Sequence, residues 1–280
     1  MREIRYETIV REVAEMCKAA NYELGEDVIT AFRKALRAER SETARDVLDQ
    51  LVRNAELAAE LRMPTCQDTG VAVFFAELGA DCRVVGGRLQ DAICEGVRKG
   101  YGEGLLRASM VGHPLKRGNT GDNTPAIIHL ELVEGDRLTL HMSAKGGGSE
   151  NMSALRMLKP ADGWEGVKGF VLDTVRKAGP NACPPLVVGI GIGGNFETCA
   201  ILAKRSLFRP IGERHADPEI AALENELLEE INRLGIGPQG LGGDTTALDV
   251  RIEMHPCHIA ALPVAVNLNC HASRHRTVVL

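Results

Sequence analysis

No two cysteines in this 280-residue chain form a CxxC or CxxxC pair, although there are eight, at positions 17, 66, 82, 94, 183, 199, 257 and 270. That absence argues against a zinc ribbon and a ferredoxin-type loop. Any metal these cysteines hold must be gripped from distant points of the chain. The opening stretch, MREIRYETIVREVAEMC, mixes arginine with glutamate and lacks an apolar core segment. Neither a secretory signal nor a transit peptide is expected, so the expected compartment is cytoplasmic. In that setting the cysteines are thiols, ligands or core filler in preference to disulfides. No apolar run approaches the length of a membrane span. Basic residues do not predominate either. With 33 Lys and Arg against 38 Asp and Glu the net charge is −5, which leaves no electrostatic footprint for nucleic acid or an anionic membrane. What remains is an ordinary globular composition in a chain long enough to bury roughly three quarters of its extended surface.

The pattern of apolar residues divides the chain into a helical N-terminal part, 1–62, and an α/β part, 63–280, read together as one domain of mixed α/β (α+β) class. Ile9, Val10, Val13, Ala14 and Cys17 make one buried stripe, which places Cys17 in the core. Asp27 is an expected N-cap for a second helix and Ser41 for a third, with Pro64 as the breaker after it. A strand is expected over 71–77 and a helix from Leu89 to Tyr101. Two strands flanking Glu134-Gly135-Asp136 read as a hairpin. A helix over 164–177, a strand from Leu186, an amphipathic helix around 221–234 and a strand over 247–254 follow. Cys82 and Cys94 read as structural.

Chemistry concentrates in the loops. MPTCQDTG (63–70) sets Cys66, Gln67 and Asp68 side by side between a proline and a glycine, at the start of a strand, where open α/β folds carry their reactive groups. By itself it reads first as a polar loop with a small buried thiol. Residues 102–125 form a long loop containing Arg107 and GDNTPA, of a length that is usually functional or disordered. KGGGSEN (145–151) offers successive backbone N–H groups to an anion, although its order is wrong for a P-loop. Cys183 lies between Ala182 and two prolines, ahead of a strand and GIGIGG (189–194). That run satisfies GxGxxG, so a dinucleotide-binding dehydrogenase is a rival reading. It is weak: the acid that would hold the ribose, Glu213, falls in a Pro/Gly loop, and no second βαβ repeat of the right size exists. CHIAALPVAVNLNC (257–270) ends an apolar strand on Cys270. Cys66, Cys183 and Cys270 thus all stand in loops beside strands, a placement core-filling cysteines have no need to adopt.

PTCQDTG, GDNTPA, KGGGSENMS, the cysteine before GIGIGG, GLGG with TTALDV, and CHIAALPVAVNLNC, in that order, resemble the α subunit of iron–sulphur-dependent (class I) fumarate hydratases and L-tartrate dehydratases. The likeness runs from the first helix to about Arg274. It implies a [4Fe–4S] cluster bound by Cys66, Cys183 and Cys270, with one iron left open as a Lewis acid for a 2-hydroxy acid. It also assigns Gln67, Arg107 and Gly147 to substrate binding and Asp68, paired with His258, to proton transfer. Without the resemblance, His258 reads as a core histidine hydrogen-bonded to backbone. The implied reaction is reversible hydration of fumarate to malate, or dehydration of L-tartrate. The β portion of the family lies outside this sequence. The expectation is therefore half an active site, completed by a β subunit in an α2β2 assembly that acts on a small dicarboxylate. A non-catalytic, cluster-carrying subunit is the remaining alternative.

Overall fold

A computed structural model describes all residues, 1–280. In chain order the elements are β1 (Arg2–Arg5), α1 (Tyr6–Tyr22), α2 (Glu26–Ala38), α3 (Glu42–Leu61), β2 (Val71–Gly79), β3 (Cys82–Val85), α4 (Leu89–Glu103), β4 (Ile127–Val133) and β5 (Leu138–Lys145). Then come the short α5 (Gly147–Asn151), β6 (Ala154–Leu158), α6 (Gly163–Ala178), β7 (Leu186–Gly193), α7 (Thr198–Ser206), α8 (Pro218–Asn232), β8 (Ala247–His255), β9 (Leu262–Asn269) and β10 (His275–Val279). The class is mixed α/β, as the residue pattern indicates. The chain divides into two compact units. One comprises Met1–Leu24, Ala55–Gly147 and Arg274–Leu280; the other comprises Gly25–Asn54 and Gly148–Ser273. No helix is long and apolar enough to cross a membrane.

The first unit is built on a four-stranded sheet of order β10-β5-β2-β4. Alternate residues of its strands, including Phe74, Ala76, Leu140 and Met142, face Ile9, Val13 and Cys17 of α1 and Ile93 and Val97 of α4. Each fully buried Val, Leu, Ile, Phe or Met side chain among these contributes about 1.5–3 kcal/mol. Burial also drives the Cys17 thiol far above the usual range, which makes it inert core. Two expectations need correction. The N-terminus is not wholly helical, because Arg2–Arg5 pairs in parallel with β3. Nor do β4 and β5 form a hairpin. Strand β2 lies between them, parallel to β4 and antiparallel to β5. The short 134–136 connection bridges over the end of β2, whose following residues fill it: Ala80 N donates to Val133 O and Asp81 N to Gly135 O, each at 2.8 Å. The apolar VAVFF segment takes the centre because it is the run best suited to burial.

The second unit carries the sheet β6-β9-β7-β8, with β7 parallel to β8 and antiparallel to β9. Val188, Ile190, Val250, Ile252, Val264 and Val266 face α6 and α8 through Val171, Val175, Leu227 and Ile231. The glycine run does not make a strand-to-helix turn. Gly189, Gly191 and Gly193 lie within β7, every residue of which is buried. A Cβ on Gly189 would stand 2.1 Å from Ala203 O, and one on Gly191 2.0 Å from Cys199 O. These glycines let α7 lie directly on the sheet, so the dinucleotide reading loses its physical basis.

Helix α2 starts before Asp27, with Gly25 as N-cap; the Asp27 carboxylate accepts instead from Ile211 N at 2.9 Å. Ser41 does cap α3, accepting from Ala44 N at 3.3 Å. Between these helices, Glu39 is 4% exposed and holds the GLGGDTT loop. Its two oxygens accept from the amides of Arg40, Ser41, Asp244 and Thr245 and from the Thr245 hydroxyl, all within 2.9–3.1 Å. Burial alone would raise its pKa, but the bonds from Asp244, Ser41, Thr245 and Arg40 outweigh it and hold the carboxyl below its ordinary value. A depressed folded-state pKa stabilises the chain above the unfolded value of about 4.3, and this contribution fades as pH falls below it. Glu39→Gln turns an amide NH2 towards N–H donors. Urea unfolding at pH 7 should show a loss of about 2–3 kcal/mol, and the difference from the parent chain should shrink steadily below about pH 4.3.

Candidate functional site

In the first unit the CQDTG loop leaves α3 and enters β2, and it is tied down from four directions. Arg274, 1% exposed, donates through Nη1 to Asp68 O at 2.6 Å and to Asn21 Oδ1 at 3.0 Å, which joins the loop to α1. The Tyr101 hydroxyl donates to Thr69 O at 2.8 Å and lies 3.1 Å from Gly70 O. Burial pushes its pKa well above the phenol range, so it serves as a fixed donor. Asn123, fully buried in a left-handed conformation, donates to Gly70 O at 3.1 Å and accepts from Ser109 N at 2.8 Å. The Thr69 hydroxyl donates to Arg107 O at 3.0 Å. Asn123 belongs to the GDNTPA motif, and its neighbour Asp122 braces that turn. The Thr124 hydroxyl first, then the Thr124 amide and Arg98, hold the Asp122 carboxyl at about 2.

Within this frame Cys66, Gln67 and Asp68 stand together. Asp68 N donates to Cys66 Sγ at 3.4 Å. Cys66 Sγ also lies 3.5 Å from Gln67 Oε1. The Asp68 carboxylate accepts from Gly70 N at 3.0 Å through Oδ1 and from Gly147 N at 2.8 Å through Oδ2. The first glycine run therefore does present an N–H to an anion, and in this structure the anion is Asp68. The side chains of Gln67 and Arg107 are exposed. Arg274, Tyr101 and Asn21 were not legible as site residues, since each reaches the loop from a remote element. Only Asn123 sat inside a recognisable motif.

In the second unit, Cys183 and Cys270 are drawn together through the backbone. Cys183 ends a short 3-10 turn in a left-handed conformation (φ 53°, ψ 64°), which a non-glycine residue adopts only under constraint. Its carbonyl accepts from His271 N at 3.2 Å and lies 3.1 Å from His271 Nδ1. His271 directly follows Cys270, so the end of β9 is fastened to the loop before β7. All three candidate ligand thiols are half-buried, whereas Cys17, Cys82 and Cys199 are buried; burial raises the Cys199 thiol.

His258 stands on the exposed loop between β8 and β9. Its Nδ1 accepts from Ala260 N at 3.1 Å, which assigns the proton of the neutral ring to Nε2 and leaves that N–H to donate outward. It is therefore an exposed histidine and not a core one. It also borders a groove of about 470 Å³ with Trp164, Val167, Leu223, Met254 and Leu262. That lining is apolar and does not suit a dianion.

No three or more His, Cys, Asp or Glu side chains converge as a single metal ion would require. Thiolates are the donors a cubane takes and it spreads them more widely than one ion does; Cys66, Cys183 and Cys270 are each half-buried on a loop beside a strand. Cys66 belongs to the first unit, and Cys183 and Cys270 to the second.

A family profile described as Fumarate hydratase (Fumerase) matches residues 10–279. A protein of Methanocaldococcus jannaschii, provisionally named an L(+)-tartrate dehydratase subunit alpha, is 48% identical over 271 residues, covering 94% of each chain. The L(+)-tartrate dehydratase subunit alpha of Escherichia coli strain UTI89 is 34% identical over 95% of this chain and 88% of its own. That of Shigella sonnei is 34% identical over 96% and 89%.

Proposed function

The chain belongs to the fumarate hydratase (Fumerase) family, and from that premise we propose that it is the α subunit of a [4Fe–4S]-dependent hydro-lyase that hydrates fumarate to malate. The observation that carries this reading is the set of three half-buried thiols on loops fastened by hydrogen bonds, with an acid next to one of them. Cys66, Cys183 and Cys270 would hold the cluster, which when bound supplies an open iron as Lewis acid for the hydroxyl and a carboxylate of the substrate.

The chain's own residues do the rest. Gln67 and Arg107, both exposed, orient a substrate carboxylate. Asp68 moves a proton at its carboxylate. Gly147 N and Gly70 N keep that carboxylate from turning away. His258, whose Nε2–H is its outward donor, is the partner proposed for Asp68. A base for the C3 proton and further cations for the second carboxylate come from a β subunit, consistent with relatives that are named as alpha subunits.

Dehydration of L-tartrate is the second reading, and the names of the relatives favour it. Malate and tartrate share the C2 hydroxyl and its carboxylate and differ at C3, the end assigned to the β subunit. The residues of this chain serve either. The test is anaerobic reconstitution with iron and sulphide, followed by addition of the β subunit and comparison of kcat/KM for malate, fumarate and L-tartrate. Activity is expected only with both subunits. A stable cluster with no turnover of any hydroxy diacid would make this a cluster-carrying subunit without catalysis, and a colourless protein would remove the cluster from the account.

A further inference from the structure

The GPQGLGG segment (237–243) has no role in the chemistry above, yet its backbone is among the most constrained in the second unit. Gln239 is left-handed (φ 54°, ψ 16°) without being glycine. A Cβ on Gly240 would stand 2.5 Å from Pro180 Cβ, so the segment sits directly on the turn that leads to Cys183. From that position Gln239 grips the residue after the cysteine twice: its backbone N donates to Pro184 O at 2.7 Å and its side-chain Nε2 to the same oxygen at 2.8 Å. Gln239 Nε2 also lies 3.1 Å from His271 Nδ1. His271 in turn reaches Cys183 O through its backbone N at 3.2 Å; with Nδ1 as the acceptor of the Gln239 amide, the ring adds no bond to that oxygen. One side chain thus touches both loops that carry the second unit's candidate ligand thiols. The His271 ring is backed by Phe32 of α2, with centroids 6.4 Å apart.

We infer that Gln239 is a positioning residue, the pin of a clasp that fixes the spacing of Cys183 and Cys270 before any cluster arrives. The inference rests on the cluster reading for its purpose but not for its geometry. A left-handed glutamine is a poor choice for folding, because glycine takes that conformation freely. What glycine lacks is the amide that bridges Pro184 O and His271. The same clasp explains why a Gly-rich turn packs here: Gly240 lets the loop come close enough for the glutamine to reach. Hydrogen bonds that orient ligand-bearing residues from one shell out commonly change metal affinity by about 10–100-fold when removed.

The experiment compares the full chain with Gln239→Met, which keeps the volume and loses the amide, and with Gln239→Gly, which relaxes the backbone. Two readouts are used besides turnover. In the apo-chain, alkylation of individual cysteines followed by mass spectrometry should show Cys183 and Cys270 reacting several-fold faster in Gln239→Met, with Cys66 unchanged. In the reconstituted chain with its β subunit, bleaching of the visible absorbance by an iron chelator should be about tenfold faster, equivalent to about 1.4 kcal/mol. Gln239→Gly should match Gln239→Met in both, even if its unfolding midpoint is higher. Circular dichroism that matches the parent shows that the variants have folded. Alkylation and bleaching rates within twofold of the parent in folded variants would overturn the clasp. A parent chain that takes up no cluster would overturn the reading beneath it, and the alkylation contrast would still decide whether the clasp exists.

Discussion

Replacing Cys183 by serine is expected to leave a folded chain that holds little iron and turns over no hydroxy diacid. The substitution is nearly isosteric and keeps the left-handed backbone, so the apo-chain should unfold within about 0.5 kcal/mol of the parent. Cys183→Gly separates chemistry from folding further. A left-handed non-glycine residue costs roughly 1–2 kcal/mol, and glycine returns about 0.5–1 kcal/mol of that through the greater freedom of the unfolded chain. The apo-chain should therefore be no less stable, and the cluster should still be lost. A residue that can be removed without harm to folding, at a backbone position that disfavours it, is held there for what its side chain binds. Cys66→Ser and Cys270→Ser should behave alike. Cys82→Ser is the control, since Cys82 is buried in β3 and packs in the first unit's core. Iron and sulphide content, visible absorbance and turnover of the assembled enzyme check the set together. A Cys183→Ser chain that retained a full cluster would refute the ligand assignment.

How far these loops were legible depended on whether their meaning was local. The stripe of α1 follows from periodicity, because one face meets a single core, and the VAVFF strand from its unbroken apolar run, buried from Ala72 to Ala76. Cys66, Cys183 and Cys270 stood out by their position at strand ends, which a linear reading can detect. Sheet neighbours cannot be read that way. Strands β4 and β5 adjoin in sequence but not in the sheet, where β2 separates them. The GIGIGG run matched a turn motif because the pattern records only where glycine falls. It cannot tell a glycine that binds phosphate from one that admits a helix, as Gly189 and Gly191 do beneath α7. Arg274 and Gln239 were invisible for the same reason. Arg274 lies in the polar run HASRHR, and nothing nearby indicates that its guanidinium ends, 1% exposed, on the carbonyl of Asp68. Candidate ligands announce themselves by type; the groups that brace their loops are recruited by the fold.

Asp68→Asn should separate proton transfer from cluster binding. The bond from residue 68 to Cys66 Sγ comes from the backbone N, and Arg274 and Tyr101 hold the loop through carbonyl oxygens at 68 and 69. None of these contacts involves the Asp68 side chain, so the visible spectrum and iron content should match the parent. The carboxylate, however, accepts one N–H at each oxygen, from Gly70 and from Gly147. An asparagine satisfies one of them and turns its NH2 against the other, which costs about 1–3 kcal/mol of unfolding free energy. It also cannot carry a proton. General acid–base groups supply about 10²–10⁴-fold in rate, so kcat for malate dehydration should fall by about that factor while KM changes little, because Gln67 and Arg107 remain. His258→Asn should lower kcat less. In the double variant the two losses should not multiply, since two members of one proton-transfer unit are non-additive. Losses that do multiply would separate His258 from Asp68 and return the histidine to its loop. A parental kcat in Asp68→Asn, with the cluster intact, would remove Asp68 from the chemistry altogether and make its two glycine bonds purely structural.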